Sequence, residues 1–198
     1  MKRVEKPVDS IILEEKIRYK INGNNSKLSQ LLFKEQLGFC AYTETYLGRS
    51  DKADIDHFNP KLKGTTTDNY SNWFLTKARW NSEKSNKWDK FQPVLYPTAG
   101  DFNERIVYDN GYYRSASAND VAAQNIIRLL KLDDPDLADE RKRYIARKKD
   151  EIDNYGLSPD EFFKLLAEKD LNSIRFLRAI EEEFNISIYV IVKSYTLI

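Results

Sequence analysis

Three short segments in close succession limit what this chain can fold into: an extended run from Ala53 to Phe58, an aromatic run from Tyr70 to Leu75, and a polar helical stretch from Thr76 to Lys87. Pro60 ends the first run, and the polar stretch Gly64 to Asn69 reads as a loop before the second. The expected order is therefore strand, loop, strand, helix, with His57 at a strand end.

Upstream, Leu28, Leu31, Leu32 and Phe33 recur at helical spacing between a capping Ser26 and a terminating Gly38, which predicts a helix over Ser26 to Leu37. Phe39 to Leu47 reads as a further extended stretch, turned by Gly48-Arg49-Ser50-Asp51. Downstream, Asn110-Gly111 between the β-prone flanks of Arg105 to Arg114 predicts a hairpin. The chain then turns helical: a helix capped by Asn119 through Leu132, another from Pro135 to about Tyr155 ahead of Gly156, a third opened by the capping box Ser158-Pro159-Asp160-Glu161, and a fourth capped by Asn172 through Phe184. The β-branched, aromatic end, Ile186 to Ile198, predicts a strand or a partner-binding edge.

The expected class is α+β, with an N-terminal segment and helix over 1–37, a core over 38–90, and a hairpin plus mainly helical region over 91–198 packed with the core as one unit. At 198 residues, with 41% hydrophobic and 13% aromatic content, the chain is long enough to bury one core and too apolar for disorder. No apolar run is long enough to span a bilayer, and the opening Met1-Lys2-Arg3-Val4-Glu5-Lys6-Pro7 lacks the apolar stretch of a signal peptide, so a cytoplasmic location is expected. A single cysteine, Cys40, excludes an internal disulfide and reads as a small buried hydrophobe.

The net charge of +1 is uninformative, but its distribution is not. From Pro60 to Lys90 seven basic residues face three acidic ones, an excess suited to a polyanion. Lys61, Arg79 and Lys84 are the expected nucleic-acid contacts there. The basic clusters Arg141-Lys142-Arg143 and Arg147-Lys148-Lys149 are diluted by neighbouring acids and read as a solvated helix face.

His57 is the only histidine, and it stands in Asp54-Ile55-Asp56-His57-Phe58-Asn59-Pro60-Lys61. Imidazole is the side chain whose ordinary pKa suits proton transfer near neutrality. A strand-loop-strand-helix unit would gather Asp56 and His57 with Asn72 and with Asn81 and Lys84 on the closing helix. Carboxylate and amide oxygens are hard donors of the kind Mg²⁺ accepts. In this reading Asp56 and Asn81 hold Mg²⁺ or Mn²⁺, and His57 takes a proton from the attacking water in phosphodiester hydrolysis.

Cys40-Ala41-Tyr42-Thr43-Glu44, the Asp56-His57 run, Tyr70-Ser71-Asn72-Trp73 and Trp80-Asn81-Ser82-Glu83-Lys84 together resemble the HNH nucleases with their ββα-metal site. More narrowly they are similar to the HNH subunits of Septu-type and retron-associated anti-phage systems, and Leu95-Tyr96-Pro97 and the stretch from Asn125 to Arg141 extend the likeness. The resemblance implies a Mg²⁺-dependent DNA endonuclease in a bacterial defence complex with an ATPase. It implies His57 as general base, Asp56 and Asn81 as metal ligands, Asn72 as the residue steadying the loop, and Lys84 as a phosphate contact. Relatives often carry two Cys-x-x-Cys pairs, and three of those positions are Thr43, Lys77 and Trp80 here, so no structural zinc is expected. Two readings compete with DNA cleavage: an RNA target, and an HNH-like subunit without catalysis that serves nucleic-acid binding or assembly.

Overall fold

A computed structural model describes residues 1–84 and 87–196, and it is an α+β protein with two small antiparallel sheets. In chain order the elements are α1 (Ile11–Glu14), α2 (Ser26–Glu35), β1 (Ala53–His57), β2 (Trp73–Lys77), α3 (Ala78–Lys84), α4 (Phe102–Arg105), β3 (Ile106–Asp109), β4 (Tyr112–Ser115), α5 (Val121–Leu129), α6 (Pro135–Tyr155), α7 (Pro159–Lys169), α8 (Leu177–Phe184) and α9 (Ile188–Thr196). Among the described residues no helix is long and apolar enough to cross a membrane.

β1 and β2 pair in the register His57↔Trp73 through Ala53↔Lys77, and α3 follows β2 without a gap, packing on both strands. Trp73, Phe74, Leu75 and Thr76 are all buried, which explains why β2 reads as a continuous apolar run: both of its faces are covered. The second strand starts later than the aromatic run, because Tyr70–Asn72 forms a 3₁₀ turn whose Asn69 side chain caps the Ser71 amide. Ser85 and Asn86 of the expected helix lie outside the described residues.

Phe39 to Leu47 is a correction to the expected strand. It forms only single bridges, Phe39 to Tyr46 and Thr45 to Arg175, because Glu44 adopts φ of +55° and folds the segment into a knuckle. Cys40 is buried there, and its Sγ accepts the Lys77 amide at 3.3 Å. Glu44 is buried beneath the knuckle and accepts the hydroxyls of Tyr113 at 3.0 Å and Tyr189 at 2.8 Å, so one carboxylate ties the core to the hairpin and to α9.

The helical region follows its local signals at three points. Pro135 opens α6, Gly156 ends it at φ of +64°, and Ser158 and Glu161 close a reciprocal capping box on α7. Three caps differ from expectation: Asn25 rather than Ser26 holds the cap position of α2, Asp120 rather than Asn119 caps α5, and α8 begins after Phe176, the stretch Leu171–Ser173 being a separate 3₁₀ turn. Of the two expectations for the C-terminal stretch, a strand or a partner-binding edge, the strand is corrected to a helix, α9, over Ile188–Thr196; Leu197 and Ile198 lie outside the described residues. Its buried Ile188, Ile191 and Val192 fall at helical spacing and pack against α7 and α8, so tertiary burial overrides β-propensity.

Two apolar clusters result, one around the β1–β2 sheet, α1, α2 and α5, the other within α6–α9, with Trp80 and Tyr108 packing against both.

Candidate active site at the end of the first strand

Alternation along β1 sends Asp54 and Asp56 to one face and Ile55 and His57 to the other. His57 is 4% exposed, with its ring edge-on to Tyr19 at a centroid distance of 4.4 Å. Its Nε2 lies 3.0 Å from Asp68 Oδ2, yet off the line a hydrogen bond requires, so this buried nitrogen has no hydrogen-bond partner. Burial pulls the imidazole pKa below its ordinary value; the Asp68 carboxylate opposes that shift, and the Lys63 ammonium reinforces it. The resting imidazole is therefore neutral at pH 7 and able to accept a proton.

Asp68 is a functional candidate that the sequence reading missed. It is buried, and its other oxygen accepts the Asn72 amide at 3.0 Å and the Trp73 indole N–H at 2.9 Å. The available signal was modest: Asp68 is the only acidic residue between β1 and β2.

Asn72 closes the loop. Its Oδ1 accepts the Asn59 amide at 2.7 Å, its Nδ2 donates to the Asn59 carbonyl at 3.1 Å, and its own carbonyl accepts the Phe58 amide at 2.8 Å. The chain leaving His57 is thus clamped to the chain entering β2. Farther out, Tyr70 donates to Glu35 of α2 at 2.5 Å, and Lys6 donates to the Trp73 carbonyl, so the N-terminal segment braces the same loop.

The expected metal pair is split. Asp56 is 2% exposed, and its Oδ2 receives the Tyr42 hydroxyl and the Lys84 ammonium, the latter at 2.8 Å. Lys84, expected at a phosphate, is itself 1% exposed and donates to the carbonyls of His57 and Phe58, so its ammonium is fully engaged inside the fold. The reason is geometric: Lys84 lies one helical turn after Asn81 and points down onto the Asp56 face of the sheet. Asn81 instead contacts Asp54 at 3.4 Å, and both line an open cleft of about 640 Å³ together with Tyr19, Ile55, Lys63 and Ser29 of α2.

Lys61 and Arg79 are exposed and hold surface ion pairs, Lys61 with Asp89 and Arg79 with Glu83, of the weak and easily exchanged kind. Neither lines the cleft. Lys63 does, standing 5.4 Å from the ring centroid of Tyr19, whose ring also packs on His57.

The fit to a divalent ion follows from the donor set. Asp56 already has a cation and no open side, whereas the Asp54 carboxylate and the Asn81 amide oxygen are hard donors bordering solvent. Among the described residues no cluster of three or more His, Cys, Asp or Glu side chains gathers around one point, so an ion here would keep several waters. No protein-family model matches the chain, and no curated protein or solved structure matches it.

Proposed function

We propose that this chain is a divalent-ion-dependent endonuclease of the HNH, ββα-metal type, hydrolysing phosphodiester bonds in DNA as the cytoplasmic nuclease subunit of a bacterial anti-phage complex with an ATPase. The observation that carries the reading is a neutral, buried imidazole beside a buried carboxylate, at the strand end of a strand-loop-strand-helix unit whose cleft is edged by lysine. The partner and the defence role rest on the sequence resemblance alone.

His57 takes a proton from a water as the water oxygen forms its bond to phosphorus; the bond from phosphorus to the 3′ oxygen breaks, leaving a 5′-phosphate and a 3′-hydroxyl that takes its proton from solvent. Asp68 stabilises the imidazolium formed at that moment, and Asn72 fixes the loop that carries both. Asp54 and Asn81 would hold Mg²⁺ or Mn²⁺, which when bound offsets charge on the scissile phosphate. Lys63 attracts the backbone to the cleft, where Tyr19 covers one side of the imidazole.

The second reading, a subunit that binds nucleic acid or assembles a complex without cleaving, is favoured by the engagement of Asp56 with Lys84. Incubation with supercoiled plasmid, single-stranded DNA and RNA, in Mg²⁺, Mn²⁺ or chelator, with and without the neighbouring ATPase, separates the readings. Metal-dependent plasmid cleavage is the expected result. Cleavage of RNA alone would overturn the substrate, and binding without cleavage of any substrate would favour the second reading.

A further inference from the structure

The polar face of β1 holds a group that the nuclease reading leaves without a task. Lys84 Nζ stands 2.8 Å from Asp56 Oδ2, 2.6 Å from the His57 carbonyl and 2.8 Å from the Phe58 carbonyl, at 1% exposure, with the Phe58 ring 5.4 Å away. Three hard oxygens converge on one positive charge out of reach of solvent. This is how a protein surrounds a metal ion, with a side-chain ammonium in the ion's place. An ammonium is kept charged in such a position only by its partners, since burial works against it.

Both carbonyls belong to the strand end that carries the imidazole. They are held by Lys84, while Asn72 bonds the Asn59 carbonyl and Asp68 in turn holds Asn72. The Tyr42 hydroxyl, donating to the same Asp56 oxygen, fixes the carboxylate in turn.

We propose that Lys84 is the resident cation of this oxygen cage: it positions the His57 main chain and withholds Asp56 from divalent ions, which leaves Asp54 and Asn81 as the donors available to the cleft. The proposal rests on the nuclease reading only in taking His57 as the group worth positioning. A lysine with a merely structural role would leave nothing behind that a metal ion could use, and the two roles are separated on that point.

The experiment is thermal unfolding of wild type, Lys84→Ala, Asp56→Asn and the double variant Asp56→Asn/Lys84→Ala across a Mn²⁺ titration. It is paired with the NMR signals of the one imidazole, which a paramagnetic ion in the cage would broaden. Lys84→Ala is expected to lose stability and to regain part of it with Mn²⁺, its melting point rising about 3 °C or more beyond the wild-type response. His57 broadening beyond the wild-type level should accompany that gain, and the double variant should show the wild-type ion response without either addition. Asp56→Asn alone is expected to keep the wild-type ion response. No added response in Lys84→Ala, or loss of the wild-type response in Asp56→Asn, would overturn the proposal. Should Lys84→Ala not fold, Lys84→Met, which keeps the buried stem and removes only the ammonium, takes its place in the same comparison. None of these readouts needs cleavage, so Mn²⁺ rescue of Lys84→Ala beside a wild type that cuts no substrate would sink the nuclease reading and leave the cage standing.

Discussion

The imidazole of His57 and the carboxylate of Asp68 stand 3.0 Å apart, both buried, with no hydrogen bond aligned between them. Protonation of His57 would place a positive charge beside the Asp68 carboxylate, so the pair favours the imidazolium more than the neutral ring.

Asp68→Asn removes the charge that holds the imidazole pKa up, so the pKa of His57 falls further below 6.5. The single histidine makes this directly readable by NMR titration. Cleavage should drop about 100-fold, in kcat rather than KM, because the lost interaction belongs to the protonated imidazole. An unchanged titration curve would remove Asp68 from the site.

The same pKa sets a pH dependence of stability. The folded chain binds the His57 proton less readily than the unfolded chain, whose imidazole titrates near 6.5. The contribution of neutral His57 is complete above that value and is lost as pH falls toward the lower folded pKa, since there only the unfolded chain gains a proton. Urea midpoints followed downward from pH 7.5 should decline across that window, and His57→Gln should flatten this part of the decline. A variant that declines in parallel with wild type would assign the effect elsewhere.

Asn72→Ala breaks the bonds to Asn59 and leaves the Asp68 oxygen short of one donor. The expected cost is about 3 kcal/mol in denaturant unfolding, because buried partners are left unpaired. A loss below about 1 kcal/mol would show that the loop is closed by other means.

Tyr19 covers one side of the imidazole. Tyr19→Ala should speed modification of His57 by diethyl pyrocarbonate several-fold, read at the one histidine of the chain. Equal rates would mean that the ring is reached from another direction.

The strand-loop-strand-helix unit was legible because proline, a polar loop and an aromatic run mark its boundaries in local chemistry. The start of β2 was not, since the Asn69 cap draws Tyr70–Asn72 into a 3₁₀ turn that an aromatic run does not reveal. At the C-terminus the β-branched residues of α9 concealed a helical spacing that became decisive only once α7 and α8 offered an apolar surface. Within the site, His57 and Asn72 were recognisable as residue types in a pattern. The burial of Lys84 against Asp56 was not, because a lysine after a helical asparagine looks the same whether it faces solvent or the underside of a sheet. Asp68 was hidden by its setting in a polar loop whose long-range contacts have no local signature.

The most direct measurement is metal-dependent cleavage of supercoiled plasmid by wild type and His57→Ala, each first shown to be folded and to bind DNA equally. Cleavage by wild type that falls at least about 100-fold in His57→Ala is the predicted result. Cleavage that survives in His57→Ala at the wild-type rate would contradict the assignment of the base, and with it the account of the site.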